Sequence, residues 1–169
     1  LHLASRQRLL AFCTGLRRCV AVEGDFSAFA VEGPCIRYRG LIPFGQSQEQ
    51  LVGYDLLVLP SHYDCWGVVV NEALCAGVPV VCSDQVGASV LISQYGVGRT
   101  FLSGNSQALV HALTEIQDDK TALYEMRRAT VTAAVAIQPE VAAAYMLEVI
   151  AASARDKAGV PSPWYEPAK

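Results

Sequence analysis

What most constrains this chain is a set of short, unbroken apolar runs that alternate with stretches of helical periodicity. Leu56-Leu57-Val58-Leu59 is closed by Pro60, and Val78-Pro79-Val80-Val81-Cys82 follows directly on Gly77. A strand with water on one side alternates apolar and polar residues. A strand that is apolar throughout is buried on both faces, and this happens when helices cover a parallel sheet from both sides. The fold class predicted is therefore α/β: a doubly wound, Rossmann-like parallel sheet with a helical C-terminal segment.

The remaining elements follow the same logic. Cys19–Val22 and Ile36–Arg39 read as further strands, bounded by Gly24, Gly33-Pro34 and Gly40, and Val97–Phe101 reads as the last. Helices are expected over Gln46–Gly53, Val68–Ala76, Val86–Gln94, Ser106–Gln117, Lys120–Ala136 and Pro139–Ala154. Leu3, Leu9, Leu10 and Phe12 suggest one more helix over residues 3–16. In the usual strand order of such folds the first strand is central. A chain opening on that helix would lack it, so Cys19–Val22 and Leu56–Leu59 would flank a vacancy that must close or be filled. Residues 1–158 are read as one domain and 159–169, with Pro161, Pro163 and Pro167, as an irregular tail.

Composition narrows the class of partner. Hydrophobic residues make up 52% of the chain and charged residues 17%, which excludes a disordered chain. A net charge of −3 argues against a nucleic-acid binder, which needs a basic excess to neutralise phosphates. No apolar run approaches the ~20 residues of a membrane-spanning helix, so a membrane would be met peripherally if at all. The first 22 residues hold Arg6, Arg8, Arg17 and Arg18 and no acid; we read a solvated helix face rather than a transit peptide. The six cysteines form no CxxC pair and fall mostly in apolar runs, where they act as small hydrophobes. A reducing, cytoplasmic location is expected, with no metal site.

The chemistry concentrates in Tyr54–Val86, a strand, loop, helix, strand and loop. Ligands of open α/β sheets bind outside the carboxyl ends of the strands, where the loop Pro60–Gly67 lies. The helix after Gly67 would turn its first free N–H groups into that loop, which suits an anion. Asp64 in the loop and Glu72 on the helix would then frame a single cleft. Carboxylates beside a phosphate site do not hold the phosphate, but they accept hydrogen bonds from hydroxyls, so the ligand expected carries both phosphate and sugar. Taken singly, Trp66 and the three valines suit a plain core, and the acids suit solvent. His62, in the same loop, reads as a solvated histidine or a substrate contact.

Asp64-Cys65-Trp66-Gly67 through Asn71-Glu72-Ala73-Leu74 resembles the E-x7-E motif of retaining GT-B glycosyltransferases of family 4 (group 1). Asp55–Ser61, Ala76–Val81, Val22–Asp25 and Tyr38–Leu41 resemble the same family, so the likeness runs over roughly residues 16–150. The resemblance implies a nucleotide-diphosphate sugar as donor substrate, no cofactor and no obligatory metal. It implies that Glu72 accepts from the ribose hydroxyls and that Asp64, in the catalytic position, meets hydroxyls of the transferred sugar. Cys65, Trp66 and Gly67 would line the sugar, amides of Val68 and Val69 would meet the diphosphate, and Gly40, Leu41 and Ile42 would border the nucleobase. The family usually carries Glu where this chain has Asp64, one methylene shorter, a change that bears on sugar preference and activity. The resemblance also implies a partner, the N-terminal acceptor-binding GT-B domain, which this sequence does not contain. The activity expected is donor binding for sugar transfer with retention. A nucleotide-sugar-binding or regulatory module without turnover, or an inactive fragment, is the alternative.

Overall fold

The computed structural model describes residues 10–14, 19–23, 36–40, 42–43 and 45–154. Six strands form one sheet: β1 (Leu10–Thr14), β2 (Cys19–Glu23), β3 (Ile36–Gly40), β4 (Leu57–Leu59), β5 (Val80–Ser83) and β6 (Gly98–Phe101). Their order across the sheet is β3-β2-β1-β4-β5-β6. Between and after them lie α1 (Ser47–Leu51), α2 (Val68–Cys75), α3 (Ser89–Tyr95), α4 (Ser106–Asp118), α5 (Lys120–Ala136) and α6 (Pro139–Ala154).

The helix expected over residues 3–16 is overturned. Residues 10–14 form a strand, and that strand fills the central position between β2 and β4. The spacing of Leu3, Leu9, Leu10 and Phe12 suggested a helix, yet Leu9–Cys13 is itself an unbroken apolar run of the kind that marks β4 and β5. Periodicity cannot separate the two over so short a stretch. The expected vacancy is thus filled, as the cost of leaving two rows of backbone groups unpaired requires.

Direction follows from connection length. Four residues separate β1 from β2, enough for a hairpin and far too few for a parallel crossover. β1 accordingly runs antiparallel to β2, pairing Leu10 with Glu23 and Thr14 with Cys19. It is antiparallel to β4 as well, with Ala11 opposite Val58 and Phe12 opposite Leu57. The longer connections elsewhere allow parallel pairs, β2 with β3, β4 with β5 and β5 with β6. Because β1 is reversed with respect to both neighbours, β2 and β3 point the same way as β4, β5 and β6. All five end at one edge of the sheet.

Side chains of β4 and β5 divide between two cores. Leu57, Leu59, Val80 and Cys82 pack with Val69, Val70, Ala73 and Leu74 of α2 and Leu91 and Ile92 of α3. Leu56, Val58 and Val81 pack on the other face with Ala112 and Ile116 of α4 and Met126 of α5. The sheet is therefore covered on both sides at β4 and β5, which is why Leu57–Leu59 and Val80–Cys82 are apolar throughout. Each fully buried aliphatic side chain contributes on the order of 1.5–3 kcal/mol relative to exposure. α5 serves both cores, with Met126 in one and Ala133 in the other. Between them the Arg127 guanidinium donates to the carbonyls of Gly77 (3.1 Å) and Tyr54 (2.9 Å) and lies 3.6 Å from Asp55. This ties α5 to the C-terminal end of α2 and the approach to β4, away from the edge where the strands end. α6 is apolar yet has no buried residue among those described, and Met146, Leu147 and Ile150 are exposed. Among the described residues no single helix is long and apolar enough to cross a membrane.

Candidate functional site

β4 ends at Leu59, and the chain crosses the sheet edge as Pro60–Trp66 before entering α2. Gly67 makes that entry possible. Its φ of 82° and ψ of 61° lie in the left-handed region. A Cβ there would also sit 2.7 Å from Val86 Cγ1 and 3.3 Å from Leu59 Cδ2. Only glycine satisfies both the conformation and the space. The turn closes with the Val70 amide donating to the Gly67 carbonyl at 2.8 Å. Val68 and Val69, the first two residues of the helix, have no acceptor one turn earlier, so their N–H groups face the loop.

α2 buries Val69, Val70, Ala73 and Leu74. At 100° per residue, Val68, Glu72 and Cys75 fall together on the opposite side. Val68 is 56% exposed and Glu72 is half-buried, one turn further along the same face. Glu72 makes no side-chain hydrogen bond or ion pair within the described residues. Burial pushes the Cys75 thiol pKa up, and the Glu72 charge adds to this.

The loop itself is fastened along its length. Asp64 bridges to Val86 in the manner of an extra strand: its amide donates to the Gln85 carbonyl (3.1 Å) and its carbonyl accepts from the Gly87 amide (3.1 Å). The Trp66 carbonyl accepts from the Ala88 amide at 2.7 Å. Asp64 Oδ1 accepts the Trp66 amide (3.2 Å), which fixes its carboxyl by a local turn, and Trp66 Nε1 donates to Asn71 Oδ1 (3.1 Å). Cys65 is exposed, and its thiol donates to the Tyr63 hydroxyl at 3.8 Å. That contact is the main cause of a raised Tyr63 pKa. The Ser83 hydroxyl, fully buried at the end of β5, donates to the Ser61 carbonyl at 2.5 Å.

The structure thus brings Asp64, Cys65, Trp66, Gly67, Val68, Val69 and Glu72 together on one loop and the helix that it opens. Gly40 ends β3 with φ +75°, and Ile42 follows it, half-buried; Leu41 lies outside the described residues. β3 stands three strand spacings from β4 in the sheet, about 14 Å at the usual separation of adjacent strands, and both strands end at the same edge. Gly24 and Asp25 and the residues from 155 on also lie outside the described residues. Sequence reasoning missed Ser83, Asp84, Gly87 and Ser103, which hold the loop from behind. A Gly within four residues of an acid just past a buried strand was the available signal, and it is a weak one.

A family model described as glycosyl transferases group 1 matches residues 44–135, more than half of the chain. The chain belongs to this family. The matched stretch contains the whole of the loop and α2, so the group 1 resemblance of the motif and the family assignment rest on the same residues. TuaC of Bacillus subtilis (strain 168), named as a teichuronic acid biosynthesis glycosyltransferase, is 35% identical over 81 residues, which are 48% of this chain and 21% of TuaC. Among solved structures, sucrose-phosphate synthase from Thermosynechococcus elongatus superposes with a TM-score of 0.62 at 21% identity, over 74% of this chain and 32% of that one. The C-terminal domain of the group 1 protein LpcC from Francisella tularensis gives 0.54 at 18% identity, over 62% of this chain and 55% of that domain. Anabaena Alr3699/HepE, solved with UDP-glucose, gives 0.54 at 21% identity, over 68% of this chain and 33% of that one. The group 1 chain therefore has the fold of a GT-B C-terminal domain, and it spans about a fifth of the curated relative that it matches.

Proposed function

We propose that this chain is the donor-binding half of a retaining glycosyltransferase and takes a nucleotide-diphosphate sugar. The observation that carries the reading is the loop Asp64–Gly67 opening α2, with the Val68 and Val69 amides at its mouth and Glu72 one turn beyond. Amides at a helix start suit a diphosphate, whose charge they meet without a basic side chain. Glu72 is a half-buried acceptor on the same face, suited to the ribose hydroxyls. Asp64, its carboxyl oriented by the Trp66 amide, suits the hydroxyls of the sugar. Gly40 and Ile42, about 14 Å from β4 along the same edge, stand where a nucleobase would reach. The UDP-glucose complex of Anabaena Alr3699/HepE supports this class of ligand.

In such a site the chain would stabilise the leaving diphosphate by fixed dipoles and hold the sugar in an attack geometry. Transfer needs a second wall for the acceptor, so the partner proposed is an N-terminal GT-B domain. A reducing, cytoplasmic setting fits Cys82, which is fully buried as a small hydrophobe. The test is calorimetric titration of the chain with UDP-, GDP- and ADP-glucose. Binding of at least one, weakened by Glu72→Ala, is expected; no binding of any would remove the reading.

A further inference from the structure

The loop that carries Asp64 is held from a third strand as well. After β6 the chain passes through Leu102-Ser103-Gly104 before Asn105 caps α4 by accepting the Ala108 amide at 3.0 Å. That capped helix gives the short link a rigid base. From it the Ser103 hydroxyl donates to the His62 carbonyl at 3.1 Å. The Ser103 amide donates in turn to Asp84 Oδ1 at 2.8 Å, and the Asp84 amide donates to the Phe101 carbonyl at 2.9 Å. The His62 ring lies over Gly104, where a Cβ would be 3.7 Å from its Cε1. Ser103 therefore joins the loops after β4, β5 and β6 at a single residue, through its hydroxyl to His62 and its amide to Asp84.

We propose that Ser103 is a positioning residue of the donor site. It fixes the His62 carbonyl, two residues before Asp64, and so, together with the Asp64 backbone bonds to Gln85 and Gly87, sets the height of Asp64 against the transferred sugar. The inference rests on the donor-binding reading and deepens it. The other fastenings of the loop lie at Ser61 and from Asp64 onward. Between them the His62-Tyr63 segment is fastened through Ser103. Losing that bond frees the His62–Tyr63 peptide, so that Asp64 keeps its backbone bonds to Gln85 and Gly87 but loses the support on the side from which the loop arrives, while the diphosphate amides of α2, anchored by the Gly67 turn, stay in place. The sugar contact should loosen and the nucleotide contact should not, a split that a general loss of folding cannot produce.

The experiment uses the 169-residue chain, as wild type, Ser103→Ala and Ser103→Thr. Each is titrated with UDP, GDP and ADP and with the corresponding glucose conjugates, and amide exchange is followed over residues 61–66. Ser103→Ala should leave diphosphate affinity within about twofold. It should lower affinity for the matching sugar conjugate by roughly 3–10-fold, the range for one hydrogen bond, and speed exchange in the loop. Ser103→Thr, which keeps the hydroxyl, should restore both. Equal losses for nucleotide and sugar nucleotide, or a wild type that binds while loop exchange and sugar affinity ignore Ser103→Ala, would overturn this role alone. A wild type that binds none of the six ligands, with the loop still opened by Ser103→Ala, would overturn the donor reading and this role with it.

Discussion

At Glu72 an acceptor sits half-buried on the open side of α2 without a hydrogen bond to the described chain. Its removal should therefore cost folding little and binding much. Glu72→Ala should weaken nucleotide-sugar binding by about 1–3 kcal/mol, the range for bonds to a charged acceptor, with an unchanged melting temperature; calorimetry and thermal unfolding check the two halves. Gly87 is the opposite case. A Cβ there would fall 2.2 Å from the Cys65 carbonyl oxygen, a backbone atom that cannot swing aside. Gly87→Ala should destabilise the chain by roughly 1–3 kcal/mol, the usual cost of overpacking, read as a lowered urea midpoint. Cys82 has a titration to offer. Burial, with the Asp84 charge second, pushes its thiol from 9.0 up to about 12. The unfolded chain then releases this proton first. The contribution to stability is fully present below pH 9 and is lost as pH rises towards 12. Wild type should lose up to about 1.4 kcal/mol per pH unit more than Cys82→Ala across that window, measured by urea unfolding at stepped pH.

Among the elements, those that the sequence made legible are those with a local signature. β4 and β5 were readable because double-sided burial leaves the runs Leu57–Leu59 and Val80–Cys82 apolar throughout, and α2 because Gly67 and Gly77 punctuate it. Asp64 and Glu72 were readable through their spacing across that punctuation. β1 was not, since five apolar residues fit a strand or a helix face equally well; the four-residue link to β2 was the signal that decides it. Ser83, Gly87 and Ser103 were illegible for another reason: each acts on a backbone group some twenty to forty residues away, and no local pattern records such a contact. Arg127 belongs with them. Its guanidinium joins the Tyr54 and Gly77 carbonyls, so Arg127→Met should cost about 1.5–3 kcal/mol, as for hydrogen bonds to a charged group, and Arg127→Lys should recover only part. Denaturant midpoints would show it.

Over the whole molecule, the donor reading gives this chain one side of a cleft, at the edge where five strands end. Donor recognition needs only that side; transfer needs an acceptor held within attack distance of the sugar. The 169-residue chain should therefore bind a sugar nucleotide and leave it unreacted towards any acceptor, with product analysis by mass spectrometry as the check. Turnover by the chain alone would show that it holds an acceptor without a second domain.

The reversed central strand has a consequence in time. β1 and β2 make a hairpin of neighbouring residues, which can form in microseconds. Joining that hairpin to β4 requires residue 11 to find residue 58, across all of β2, β3 and α1. Closing so long a loop spends chain entropy before any pairing rewards it, and such steps set the pace of folding. The seam between β1 and β4 is thus where this sheet would be completed last. Until it is, β4 presents an open edge to any other extended chain nearby.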